Sequence, residues 1–250
     1  MFLPKLTVEA IDPEQNVRFI IGYLSREKRE NTSRPFFEKT IRLFPELENI
    51  DAIEDKKERE AVIREAVLKK LNDHADEING RIGHFQAVFD SFIAKNIEAQ
   101  CRVFEMEWSK NTQVIRCYVG YLPFYPRSAA DKCFYVSYPD EERVFSGAVH
   151  EINHMIFFEK WKEMTGFAGD EPAWPDPLWV TEEVIVDPIL NDERVKPYTL
   201  YENKAYPQFY LQREDGTGSL MDRIKVCYKE NTGEIAGFLK EAYRIVLSVS

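Results

Sequence analysis

The amino-acid sequence predicts an α+β fold that is mainly helical, with a small sheet placed just before a long buried helix. Three observations predict it. Most of the chain has helix-favouring texture, as where Ile63, Val67 and Leu71 recur at four-residue steps among charged residues. Two segments, Val114–Leu122 (VIRCYVGYL) and Cys133–Tyr138 (CFYVSY), are instead rich in β-branched and aromatic residues and read as strands. The stretch from about Glu142 to Met164 is apolar nearly all round, which is the pattern of a helix surrounded by other elements.

Taken in order, Lys5 to Ile11 alternates loosely and reads as a short strand, ended by Asp12-Pro13. Pro13 suits a first helical turn, and a helix over Glu14–Arg26 follows. Thr32-Ser33 can cap a second helix that runs to about Phe44, before Pro45. The charged stretch Ile50–Leu71 predicts a third helix with one solvated face. Ile78 to about Glu107 predicts a fourth, with a break near Gly80 or Gly83. The two strands and the buried helix come next; Asp140-Glu141-Glu142 complements the positive end of that helix dipole. Gly166 to Pro177 (GFAGDEPAWPDP) reads as a loop. Leu178–Leu190 is helical in texture, 191–210 is tyrosine-rich and irregular, and Asp215-Gly216-Thr217-Gly218 is a turn. Helices over about Ser219–Lys229 and Gly233–Val249 close the chain.

The 250 residues suffice for one large domain or two tightly joined lobes. A hydrophobic share of 44% with 30% charged residues is globular, not disordered. The net charge of −10 repels phosphate backbones and argues against nucleic acid as the main partner. No window approaches the ~18 apolar residues of a membrane span, and no secretory signal is visible at the start. The four cysteines, Cys101, Cys117, Cys133 and Cys227, form no C-x-x-C pair. They read as buried, reduced thiols of a cytoplasmic protein.

The chemistry is concentrated at His150-Glu151-Ile152-Asn153-His154, a His-Glu-x-x-His pattern. Two histidines four apart share one helix face, so both rings can reach one ion. Zinc takes neutral imidazole readily, and a catalytic site keeps one position open for water. The glutamate beside the first histidine can take that water's proton. Gly147, one turn earlier on the same face, is expected to leave open space beside the ion. The alternative is a helix whose histidines simply hydrogen-bond in the core.

A third ligand is needed, and no histidine follows His154. The metzincin continuation would need Gly and His where Phe157 and Lys160 stand, so that class is excluded. A carboxylate is therefore expected, and Trp179-Val180-Thr181-Glu182-Glu183-Val184-Ile185-Val186-Asp187 supplies it. Glu183 and Asp187 are four apart on one face. Glu183 could bind the ion, with Glu182 as its rival, and Asp187 could accept the second N–H of a ligating histidine. Pro188 directly after Asp187 works against helical geometry there.

The pairing of His150-Glu151-x-x-His154 with Glu183-x-x-x-Asp187 resembles the gluzincin branch of zincin metallopeptidases, the thermolysin-like arrangement. The resemblance covers about 40 residues directly, and is similar in texture to uncharacterised bacterial proteins with a zincin core. It implies a zincin-like core over 111–250, following a mainly helical region over 1–110, with a helical C-terminal lobe. It implies Zn2+ bound by His150, His154 and Glu183, a general base at Glu151 and a supporting carboxylate at Asp187. The strand Cys133–Tyr138 would pair with an extended substrate. The family's usual histidine donor to the oxyanion has no counterpart here. A tyrosine could replace it; Tyr201 is the first choice, with Tyr198 and Tyr206 as the others.

The sequence therefore predicts a zinc metallopeptidase acting on a peptide or protein substrate, with neither nucleic acid nor membrane as partner. The alternative is a catalytically retired zincin that keeps zinc and binds a partner. His74 and His84 read as solvent-exposed, Asp170 and Glu171 as parts of a solvated loop, and Trp161, Trp174 and Trp179 as core.

Overall fold

The computed structural model describes residues 1–28, 31, 33–199, 202–212, 216, 218–231 and 233–249. The architecture is α+β and mainly helical. A four-stranded sheet is formed by β1 (Lys5–Ala10), β2 (Val114–Gly120), β3 (Arg127–Ser128) and β4 (Cys133–Ser137). Its spatial order is β1-β2-β4-β3; β1, β2 and β4 run parallel, and β3 lies antiparallel at the far edge. The two-residue strand β3 has no sequence signature and was not expected.

Alternation along the strands gives the sheet two different faces. Leu6, Val8, Ile115, Cys117, Val119, Phe134 and Val136 point into the larger core. There they meet α4 (Ala75–Val103) and α5 (Glu141–Thr165). Tyr118 and Tyr135 point the other way, onto the smaller core formed by α1 (Pro13–Ser25), α2 (Pro35–Leu43) and α3 (Lys56–Asp73). One side chain covers the free edge of β1: Gln86 donates to the Leu6 carbonyl (3.1 Å) and accepts from the Val8 N–H (2.8 Å), as a neighbouring strand would. Asn16 pairs likewise with both backbone groups of Tyr121. Gly120 makes that approach possible, because a Cβ there would lie 2.6 Å from the Asn16 Oδ1.

The larger core crosses residue 110. It joins Leu6, Phe85 and Ile97 to Ile152 and to Phe238 of the last helix. Helix α4 runs unbroken through Gly80 and Gly83. The two glycines cost about 1 kcal/mol each in propensity, but burial of Phe85, Phe89, Phe92, Ile93 and Ile97 holds the helix together. After α5, α6 (Pro177–Val184) and α7 (Val186–Leu190) stand where one helix was expected. Pro188 has no N–H to give the carbonyl of Val184, four residues back, and α6 ends at Val184. Asp187 is nevertheless helical, within α7. Helices α8 (Leu220–Glu230) and α9 (Ile235–Leu247) complete the chain. Thr32 and the turn residues Asp215 and Thr217 lie outside the described residues; the cap position of α2 is taken by Arg34, not by Thr32 or Ser33, because Pro35 opens the helix. All four cysteines are free and buried. No helix among the described residues is long and apolar enough to cross a membrane.

Candidate metal centre

Helix α5 carries the His-Glu-x-x-His pattern through the middle of the larger core. Val149, Ile152, Met155, Ile156 and Phe157 are fully buried around it. Gly166, in the left-handed conformation at φ 71°, ends the helix. A buried polar ladder fixes its rotation: Asn153 donates to Gln100 (2.9 Å), Gln100 donates to Asn96 (2.7 Å), and Asn96 donates to the Tyr198 carbonyl (3.1 Å). These three α4 and α5 residues have no solvent exposure, so the ladder selects one register between the helices.

Helix α6 faces α5 and begins at Asp176, whose carboxylate accepts from the Leu178 N–H. Adjacent residues on a helix point about 100° apart, and Glu182 and Glu183 diverge accordingly. Glu183 Oε2 lies 3.3 Å from His150 Nε2 and 3.5 Å from His154 Nε2. The two Nε2 atoms are 2.8 Å apart. His150, His154 and Glu183 thus offer three donor atoms around one point. Ligands about 2.0–2.1 Å from a tetrahedral zinc are about 3.3 Å apart. Two of the three edges fit that figure, and the histidine pair needs to open by about 0.5 Å. Glu183 Oε2 is buried and faces the two imidazole Nε2 atoms, without a well-formed hydrogen bond to any other group. The residues fit a divalent cation of the zinc class.

Glu182, not Asp187, lies beside the second nitrogen of His154. It is fully buried, and its Oε2 lies 3.2 Å from His154 Nδ1, on the far side of the ring from Glu183. Asp187 is instead bound to Tyr210 (2.5 Å) and Lys225 (2.9 Å), and supports the loop between α7 and α8. It is buried, but it is engaged away from the histidine rings.

Arg127, on the edge strand β3, is the residue that the sequence reading missed. Its guanidinium is only 11% exposed and meets Glu182 at 2.6 Å, Glu171 at 2.6 Å, Glu151 at 3.1 Å and Glu183 at 4.0 Å. Four carboxylates against one guanidinium leave an excess of negative charge in a largely buried space, which favours a further positive charge, either a proton on a histidine or a cation in its place. The charges shift the neighbouring groups in a consistent direction. Burial and the Arg127 charge oppose protonation of His154, but the carboxylates of Glu182 and Glu183 outweigh them and push it up to about 10. Burial opposes ionisation of Glu183, but the two histidines hold its carboxyl well below the usual range. A partial signal for Arg127 did exist: Glu151 lies on the helix read as buried, where a carboxylate requires a counter-charge.

Other expectations are revised. Gly147 does not leave open space: the Tyr125 ring fills it, so close that a Cβ would lie 2.6 Å from a ring carbon. Strand β4 is not a free edge, because β3 pairs with its first two residues. Glu171 is not in a solvated loop but on Arg127, whereas Asp170 is exposed. Trp161 is core, Trp179 half-buried and Trp174 57% exposed. His74 is half-buried against Tyr121, and His84 is exposed beside Glu141.

Of the tyrosines considered as donors, Tyr201 lies outside the described residues and the Tyr198 side chain is exposed. Tyr206 is exposed as well, at 44% against 37% for Tyr198, but its ring packs on Trp179, which is one helical turn before Glu183. Burial and the charges of Glu183 and Glu151 push its phenol up, Arg127 opposing, so it remains protonated and able to donate.

No protein-family model matches the chain, and no curated protein or solved structure is significantly similar to it.

Proposed function

We propose that this chain is a zinc-dependent hydrolase of peptide bonds, with His150, His154 and Glu183 as the metal ligands. The observation that carries the reading is the convergence of three donor atoms, 2.8 to 3.5 Å apart, around the buried Glu183 oxygen. A zinc ion held there supplies a polarised carbonyl and a water acidic enough to attack it near neutral pH.

The remaining roles belong to the chain. Glu151, one residue after the first ligand, accepts the proton of the attacking water and passes it to the leaving amine. Glu182 holds His154 as the neutral ligand tautomer through its Nδ1. Tyr206 takes the donor role first assigned to Tyr201, its phenol stabilising the charge that develops on the carbonyl oxygen. His150, whose side chain is 24% exposed, marks the side from which substrate enters. The reading follows the gluzincin resemblance, with zinc as cofactor and a peptide or protein as partner in the cytoplasm.

One observation favours a second reading. Arg127 sits 3.1 Å from Glu151 and neutralises the carboxylate that must act as base. A retired site that keeps zinc and binds a partner would tolerate that contact. The Glu151→Gln variant separates the two on a peptide library. If the site is catalytic, the variant keeps its zinc and loses hydrolysis by at least a hundredfold. Equal hydrolysis by parent and variant would exclude Glu151 as the base.

A further inference from the structure

The contacts of Arg127 divide into two kinds. Glu151 and Glu182 come from helices, and their side chains are 8% and 0% exposed. Glu171 comes from the loop between α5 and α6, and its side chain is 25% exposed. At its ends the loop is anchored by Phe167, whose N–H donates to the Thr165 hydroxyl and whose ring packs on the larger core, and by Trp174 against Trp179. On either side of Glu171, residues 168–170 and 173–176 are exposed. The middle of the loop thus crosses the edge of the site as a strap held there by the Glu171 carboxylate.

That carboxylate is held by one ion pair and one hydrogen bond. One oxygen lies 2.6 Å from Arg127 Nε, a charge contact, and the other accepts from the backbone N–H of Ala129 at 3.0 Å. Ala129 directly follows the edge strand β3, and its N–H is outside the sheet ladder. An arginine Nε and a strand-edge amide converging on one carboxylate make a built anion site. The same guanidinium reaches Glu151, so the site is one side chain away from the proposed base.

We propose that Arg127 Nε and the Ala129 N–H form a carboxylate subsite for the substrate, filled here by Glu171 and vacated when the strap lifts. The inference deepens the hydrolase reading and rests on it for the word substrate. A peptide carboxylate displaces Glu171 on equal charge terms, so the centre keeps its balance. A neutral end group would leave the Arg127 Nε without a carboxylate, which disfavours it. The subsite selects peptides that present a carboxylate within reach of the scissile bond, either the chain terminus or an acidic side chain.

The test uses the full chain as purified and its Glu171→Gln variant, a loop substitution checked for folding by circular dichroism. Three peptides are titrated calorimetrically: N-acetyl-Ala-Phe with a free carboxylate, the same peptide amidated, and N-acetyl-Glu-Phe amidated. Mass spectrometry confirms that each peptide stays intact. With its tether removed, Glu171→Gln should bind a carboxylate peptide at least tenfold more tightly than the parent does, and at least tenfold more tightly than N-acetyl-Ala-Phe amide. Preference for the first peptide assigns a terminal carboxylate, and preference for the third assigns an acidic side chain. Arg127→Lys added to Glu171→Gln should abolish the preference, because a lone ammonium does not reproduce the guanidinium fork. Equal affinity for all three peptides, or no binding of any, overturns the subsite. Zinc titration of the same samples keeps the two proposals apart. Zinc binding without carboxylate preference refutes only the subsite, whereas carboxylate preference without zinc binding refutes only the hydrolase.

Discussion

Replacing Arg127 by methionine keeps most of the side-chain length and removes its charge. The guanidinium is 11% exposed, and the carboxylates it meets on Glu151, Glu182 and Glu183 are 8%, 0% and 4% exposed. Taking one partner from a buried ion pair costs about 3–5 kcal/mol, because the other charge stays behind in a poor solvent. For a chain of this size each kcal/mol moves the melting temperature by about 2–4 °C. The expected fall is therefore roughly 6–20 °C in EDTA. A metal ion should recover part of it. In the parent, a divalent ion meets three uncompensated negative charges; in Arg127→Met it meets four. Zinc should therefore raise the melting temperature of the variant by more than it raises that of the parent. Differential scanning calorimetry with EDTA and with excess zinc measures both. A variant melting within about 2 °C of the parent in EDTA, or an equal zinc effect in the two, would refute the assignment of Arg127 as the counter-charge of this centre.

Two further outcomes are expected. Glu183→Ala should abolish zinc binding, whereas Glu182→Ala should keep the ligand set but weaken zinc affinity by about 10–100-fold through the loss of the His154 Nδ1 partner; zinc titration against a competing chelator distinguishes them, and the reverse order would exchange their roles. Gly147→Ala should destabilise the chain by about 1–3 kcal/mol as the new methyl meets the Tyr125 ring, readable by urea denaturation, and an unchanged midpoint would show that the ring moves freely.

The legible parts of this sequence were those where one physical signal acts alone. The β-branched runs at Val114 and Cys133 became strands, and the apolar surroundings of His150 became a buried helix. Pro188 opposes helical geometry at Asp187 in the sequence reading; instead the break falls before it, between α6 and α7, and Asp187 is helical. The choice of Glu183 over Glu182 as the oxygen facing both Nε2 atoms came from the helix face alone. What escaped was set by tertiary placement. Asp187 shares that face, but Tyr210 and Lys225 reach it first. Arg127 lies on a two-residue strand that exists only because β4 is beside it. Gly147 read as open space because nothing in the sequence places Tyr125 against it.

The central claim is that His150, His154 and Glu183 hold a metal ion. Its most direct test is the metal content of the purified protein by inductively coupled plasma mass spectrometry, beside a His154→Ala control. About one zinc per chain is expected, lost in the control. Absence of bound metal, even after zinc is supplied, would overturn this assignment and leave one half-buried and two buried polar groups that the fold holds together for another reason.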